Sequence, residues 1–285
     1  MPGAGRYTMP FWRRKNAFSG RCIVTRAQRA SLALAAVLIL APSLAFCNAF
    51  SLRAGYFFPR AQHGTDHPDS LWTIELDNMS FKKSDFTNSI MGLSYEYFLT
   101  RELSLVFGLD TYERIKAGYY KDWVGYEFDD GDFAFPLEYY EGDFDVSHSF
   151  TVSLLPIQFS LKVLPLGRRT KIIPYLGAGV GVYIWGVRLR GDMIDFSDEY
   201  VYEDPDLGDV SVYPIQPTQA DETTRFSFGY HWFGGLQIPI ANRLTLEAEF
   251  KQHLVNKGKF TDAFEGFEDF DLSGFQVTVG INYWF

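Results

Sequence analysis

Beyond residue 50, apolar and polar residues alternate with a period of two, and no stretch shows a helical period. That period marks strands with one greasy face. Leu52, Ala54, Tyr56 and Phe58 alternate with Ser51, Arg53, Gly55 and Phe57, and Met91, Leu93, Tyr95, Tyr97 and Leu99 with Gly92, Ser94, Glu96 and Phe98. A third segment sets Leu105, Phe107 and Leu109 against Ser104, Gly108 and Asp110. The fourth runs from about Phe150 to Leu164, and its parity slips near Leu154-Leu155, which predicts a bulge there. The fifth is Tyr175 to Trp185, the sixth Phe226 to Ile240, and the seventh sets Leu244, Leu246, Ala248 and Phe250 against Thr245, Glu247, Glu249 and Lys251. The eighth is the clearest: Phe275, Val277, Val279, Ile281, Tyr283 and Phe285 alternate with Gln276, Thr278, Gly280, Asn282 and Trp284.

The connections alternate as well. Short ones lie at Thr100-Arg101-Glu102, Pro165 to Thr170 and Ala241-Asn242-Arg243, and long ones at roughly 60–88, 116–146, 190–225 and 255–272. Long loops gathered at one end are the habit of a transmembrane barrel, with short periplasmic turns and long outer loops. A tilted strand of about 10 residues crosses a bilayer, and closing the sheet leaves no unpaired edge in lipid. The pattern predicts an all-β fold: a closed antiparallel transmembrane β-barrel of eight strands with long extracellular loops. The alternative is ten or twelve strands, with extra hairpins hidden in the second and third long loops, Gly118–Phe128 and Asp132–Asp143 being aromatic enough to supply them. Lys121, Asp122, Glu127, Glu138 and Glu141 fall on both parities there. A lipid face does not tolerate such charges at mid-depth, so these segments read as strand extensions or folded loops above the membrane.

The start of the chain has a different grammar. Residues 1–29 carry Arg6, Arg13, Arg14, Lys15, Arg21, Arg26 and Arg29 and no acid, followed by the apolar run Leu32 to Ala41 and then Pro42. Ser43 with Ala45 offers cleavage before Phe46, and Cys47 with Ala49 offers it before Phe50. Together these read as a secretory signal peptide, giving a domain plan of 1–49 as cleaved signal and 50–285 as barrel. A membrane anchor over Ala30–Leu52 is diluted by Pro42, Ser43 and Asn48. Bulky Phe46 before Cys47 argues against a lipoprotein site, and Arg13-Arg14 lies far from the apolar core for a twin-arginine signal.

Composition then narrows the function classes. The whole chain carries 26 bases and 35 acids, a net −9, which argues against a nucleic-acid binder. Two cysteines make neither a disulfide framework nor a multi-cysteine metal site. The four long connections hold 29 of the acids and only 9 bases, a net −20, whereas the short turns carry Arg101, Arg168, Arg169, Lys171 and Arg243 against Glu102. Such an outward crown suits solubility and repulsion from anionic lipopolysaccharide, or divalent cations and adhesion. Asp129-Asp130-Gly131-Asp132 and Glu203-Asp204-Pro205-Asp206 are oxygen-rich but lack the spacing of a calcium loop.

The ending Thr278-Val279-Gly280-Ile281-Asn282-Tyr283-Trp284-Phe285 resembles the outer-membrane assembly signal: a polar residue, Gly two later, then aromatics ending in Phe. Within it Thr278, Gly280, Tyr283 and Phe285 carry the match. Pro174 to Gly181 (PYLGAGVG) and Gly55 to Pro59 (GYFFP) look like stretches of small Gram-negative barrels of the OmpA, OmpX and OmpW type. The resemblance covers most of residues 50–285. It implies residence in the cell outer membrane among lipid and lipopolysaccharide, with insertion by the barrel-assembly machinery. It implies no particular activity.

Inward parity places Arg53, Glu96, Asp110, Arg114, Lys162, Glu247, Glu249 and Lys251 in the lumen, four bases against four acids. An eight-stranded lumen is just wide enough for side chains to fill it, and charges there must pair. The expectation is a salt-bridge plug, with a gated narrow pore as the sharper alternative. Gly177, Gly179 and Gly181 are not a dinucleotide loop, because they lie inside a strand rather than before a helix; they read as room for neighbours such as Tyr183 and Trp185. His63, His67, His148, His231 and His253 form no legible pairing for nucleophilic catalysis, Ser147-His148-Ser149 coming nearest. The reading is therefore a non-enzymatic barrel without cofactor, structural or surface-interacting, displaying acidic aromatic loops. Inward Phe57, Phe98 and Phe233 motivate a second reading, OmpW-like passage of small apolar molecules. A lipid-active enzyme is the third.

Overall fold

A computed structural model describes residues 48–59, 79–129, 131–261, 264 and 269–285. The proposed signal segment up to Cys47, His63 and His67 lie outside the described residues. Ten strands form: β1 (Asn48–Pro59), β2 (Asn88–Phe98), β3 (Leu103–Phe128), β4 (Gly131–Pro136), β5 (Phe144–Val163), β6 (Ile173–Ile194), β7 (Tyr200–Asp204), β8 (Gly208–Ala241), β9 (Leu244–Val255) and β10 (Gly274–Trp284). Eight of them close a ring in which every neighbour is antiparallel. Its order is β1, β2, β3, β5, β6, β8, β9, β10 and back to β1.

These eight are the eight alternating segments of the sequence. The ten- or twelve-stranded alternative does not form, although its extra hairpins exist. β4 folds back on Trp123–Phe128 of β3 and touches β8 at Pro214 and Tyr213, and β7 pairs with the start of β8. Both strands stand outside the ring, because β3, β5, β6 and β8 run on for 20 to 34 residues, far beyond a bilayer's need. The extensions carry their own small core of Val124, Phe135, Val210 and Val212, flanked by Tyr126, Phe133 and Tyr140.

One local expectation is corrected. β5 keeps a constant register against β3 from Ser147 to Val163 and shows no bulge at Leu154-Leu155. Leu154 points inward and is buried because the upper lumen is itself apolar, so both parities carry apolar residues there. The irregularity on this side of the barrel lies in β8 instead. The register against β6 shifts between Trp185 and Val187, and Thr224 adopts a positive φ of 62°.

The outer wall is apolar where lipid would touch it. Phe228, Val279, Val180 and Phe159 are 63–67% exposed, and Leu52, Met91, Leu105, Leu176, Ile238 and Ile281 are exposed beside them. Inward positions are buried. β1 is paired from Asn48 onward, Ala49 opposing Trp284 in β10, and the amide of Phe285 donates to the Asn48 carbonyl. Cleavage before Phe46 would retain this whole strand, whereas cleavage before Phe50 would remove Asn48 and the buried Ala49.

Deleting Phe285 is expected to reduce the protein reaching the outer membrane to a small fraction. The loss removes one ladder hydrogen bond and the exposed ring packed edge-on to Tyr283 at 5.2 Å. Quantifying folded barrel in isolated membranes checks this; a normal amount at normal speed would refute the assembly-signal reading of the octet.

Candidate functional site

Along the ring's axis the lumen is layered. At the short-turn end Ala49, Phe98, Leu164, Ile173, Tyr175 and Phe233 form an apolar floor, with Trp284 packed against it. At the other end a larger cluster, including Phe57, Phe86, Ile90, Tyr112, Phe150 and Leu154, forms an apolar lid. Between them lie the charges. Such a compartment has a low effective dielectric, so charges in it must be paired and hydrogen-bonded.

Arg53 stands near the middle. Its Nη2 lies 2.9 Å from Asp110 Oδ1, its Nε donates to the same oxygen at 3.1 Å, and its Nη1 reaches Glu249 Oε1 at 3.3 Å. Lys251 Nζ bridges Asp110 at 3.5 Å and Glu249 at 3.4 Å, and donates to Gln158 Oε1 at 3.0 Å. A second group forms toward the floor: Lys162 Nζ lies 2.9 Å from Glu96 Oε2 and 3.7 Å from Glu247 Oε2. Tyr175 lies 4.0 Å under the Lys162 ammonium, measured to the ring centroid, and its hydroxyl donates to Glu249 at 3.2 Å. Ser104 donates to the other carboxylate oxygen of Glu96, and Gln237 and Asn282 donate to the same Glu247 Oε2 that faces Lys162.

Seven of the eight residues assigned to the lumen by parity meet in this network, all of them buried. The eighth does not. Arg114 is half-buried near the upper end, where its Nε donates to the Asp85 carbonyl at 2.9 Å. It follows the inward parity, but β3 has by then risen above the charged layer. The network therefore holds three bases and four acids, not a balanced four and four.

Glycines make the space. A Cβ at Gly92 would stand 1.9 Å from Asp110 Oδ1 and 2.9 Å from Arg53 Nε, and one at Gly280 would meet Arg53 Cβ at 3.0 Å. Thr278 and Gly280 of the terminal octet face the lumen, while Tyr283 and Phe285 face outward. Gly177 clears Phe233, whose ring would lie 2.4 Å from a Cβ there, and Gly181 lies beside Tyr183. Trp185 takes its room from Gly258 rather than from the β6 glycines.

Sequence reasoning missed the polar layer above the charges. His253 accepts or donates at both ring nitrogens, with Gln158 and Tyr183 at 3.2 and 3.1 Å and Gln276 at 3.1 Å. His231 Nε2 lies 2.7 Å from Ser160 Oγ. This Ser–His pair bridges different strands, so no spacing in the chain reveals it. His231 Nδ1 is buried without a partner, and Ser160 lines a cavity of about 10 Å³ among the charged side chains. A nucleophile–base pair needs an orienting third group, and among the described residues none bonds the His231 Nδ1.

Above the lipid-facing band, at the level where outward positions become Ser147, Ala117 and Ser149, His148 is buried against Phe81 and Tyr120. Burial, with neither ring nitrogen hydrogen-bonded among the described residues, pulls its pKa down from 6.5 to about 4. The folded protein thus takes up this proton only near pH 4 and the unfolded chain near 6.5. Stability is whole above pH 6.5 and drains as pH falls toward 4, by up to about 3 kcal/mol. Acid melts of wild type and His148→Phe should show the variant losing less stability over that window; parallel losses would refute the assignment.

One turn of the acidic loops is held by its own backbone and by a tyrosine. Asp204 Oδ1 accepts the amides of Asp206 and Leu207, and its Oδ2 accepts the Tyr140 hydroxyl at 2.9 Å. Those amides, and then the hydroxyl, lower the Asp204 pKa. Partial burial and the Asp204 carboxylate push Tyr140 up to about 12. Among the described residues no group of three or more His, Cys, Asp or Glu stands placed to hold a metal ion.

A closed ring with an apolar outside and ion pairs sealed inside has all its backbone groups satisfied and its greasy face outward. The fold is that of a transmembrane β-barrel. No protein-family model matches the chain, and no curated protein matches it. Among solved structures it is similar to Neisserial surface protein A, at 11% identity over 84% of this chain and 97% of that one, with a TM-score of 0.41. It is also similar to the outer membrane protein OprG of Pseudomonas aeruginosa, at 12% identity over 84% and 97% (TM-score 0.40). The N-terminal β-barrel domain of Pseudomonas aeruginosa OprF matches at 10% identity over 84% and 97% (TM-score 0.36).

Proposed function

We propose that this chain is an integral outer-membrane β-barrel whose lumen is a structural plug and whose function lies in the surface it displays. The observation that carries this reading is the contrast between the interior of the barrel and the extension of its long strands. Inside, the side chains of Arg53, Asp110, Glu249 and Lys251 are 1–4% exposed and bonded to one another. Outside, the β4–β7–β8 extension exposes Tyr139, Tyr200, Val201, Tyr202 and Leu207 among Glu138, Glu199, Glu203, Asp206 and Asp209. Apolar side chains gathered on an exposed surface and rimmed by charge are the common dress of an interaction site. Divalent cations would act on this crown as a diffuse screen shared with lipopolysaccharide phosphates, rather than at one built site. Phe57, Phe98 and Phe233 are each buried in the packed lid or floor, which favours the closed reading over passage of small apolar molecules.

Two measurements test this together. Purified protein in a planar bilayer is expected to show no stable open conductance, and protease added to intact cells is expected to nick within residues 131–143 or 196–208. A large steady conductance would refute the plug. Nicking of these loops only from the periplasmic side would refute the outward display, and nicking indifferent to a chelator would remove the cation screen.

A further inference from the structure

At the short-turn end, beneath the apolar floor, a cavity of about 450 Å³ opens between the β2–β3, β5–β6 and β8–β9 turns. That volume is in the range of small-molecule sites. Three arginines line it, Arg101, Arg168 and Arg169, against one carboxylate, Glu102. Glu102 is exposed, and its Oε2 accepts the Thr100 hydroxyl. Among the described residues no carboxylate stands within ion-pair distance of any of the three guanidinium groups. The charges in the lumen are paired; these are not.

Arg168 is the most telling of the three. Its guanidinium lies 4.3 Å from the Phe98 ring centroid and 6.0 Å from that of Trp284, which holds its plane in place. Its Nη1 is buried and has no hydrogen-bond partner. A buried, unspent donor on a cation is costly unless something supplies an acceptor. A planar guanidinium fork matches a phosphate or carboxylate oxygen pair. Ile173 and Trp284, on the underside of the packed floor, give the same cavity an apolar wall and make it a dead end rather than an entrance to the lumen.

We propose that this mouth binds an amphiphilic oxyanion: a phosphate monoester or carboxylate held by Arg168 with Arg101 and Arg169, its apolar body against Ile173 and Trp284. A soluble periplasmic molecule and an inner-leaflet lipid headgroup both present that chemistry.

The test uses the whole mature barrel in uncharged maltoside micelles, titrated calorimetrically with hexyl phosphate, hexanoate, inorganic phosphate and hexanol. Hexyl phosphate or hexanoate is expected to saturate one site at least about tenfold more tightly than inorganic phosphate or hexanol. Arg168→Gln should weaken it about tenfold or more. Arg243→Gln should leave it unchanged, since Arg243 donates to Tyr283 and does not line the cavity. If Arg168→Gln does not fold, Arg169→Gln gives the same readout. Phosphatidate in nanodiscs forms the second arm: competition by it assigns the lipid source, and its failure to compete assigns the soluble one. No saturable binding by either amphiphile, or binding indifferent to Arg168→Gln and Arg169→Gln, would overturn the proposal.

Discussion

Arg53→Ala is expected to destabilise the folded barrel by about 3–5 kcal/mol, because it leaves Asp110 and Glu249 buried beside too little positive charge. Arg53 makes the closest contact to Asp110, and without it Lys162 and Lys251 face four carboxylates. Removing both members of the central pair should behave differently. Arg53→Met with Asp110→Leu restores the original imbalance of one carboxylate, and an apolar replacement of a buried pair is often close to neutral. The double variant should therefore recover most of what the single one loses. Urea unfolding of the purified barrel in lipid or detergent measures both. A single variant as stable as wild type would mean that water reaches Asp110 and that the lumen is not sealed.

Val279→Arg should also have a large effect, for the opposite reason. Val279 is 66% exposed, midway along β10, and opposes Ala54 on one side and Ala248 on the other. An arginine there meets hydrocarbon on a flat stretch of wall, at a cost of about 2–4 kcal/mol at the bilayer midplane. Ala117→Arg, outward on the β3 extension, should cost almost nothing. Equal costs at the two positions, measured by folding into vesicles, would contradict a lipid boundary between them.

How much of this was legible in the chain follows from what period-two patterning can report. Alternation fixes which side chains face inward, and it placed Arg53, Glu96, Asp110, Lys162, Glu247, Glu249 and Lys251 in the lumen. It does not fix height along the axis, so Arg114 shares the parity but not the network. Pairing across the lumen depends on shear between strands far apart in sequence, and for that reason the Ser160–His231 contact and the cradle of His253 left no local signal. Leu154-Leu155 misled for a related reason. Greasy residues on both parities suggested a slipped strand, when the lumen itself had turned apolar. The mouth arginines were visible as basic turns, but the cavity they share comes from three turns that only ring closure brings together.

The strands are unequal in a way that gives the molecule a heading within the membrane plane. β1, β2, β9 and β10 are neighbours in the ring and stop after 11 or 12 residues, while β3, β5, β6 and β8 are contiguous and run to 20–34. One half of the wall is a low parapet and the other a fin. The stretch of β8 from Gly208 to Arg225 alone would rise roughly 40 Å at ordinary strand rise and tilt. Two such barrels approaching low side to low side would meet along lipid-height wall alone, whereas fin to fin they would press acidic, aromatic sheets together well clear of the bilayer. Like charge on the fins disfavours the second encounter. A crowded membrane would then tend to turn the tall faces away from one another and leave each of them free.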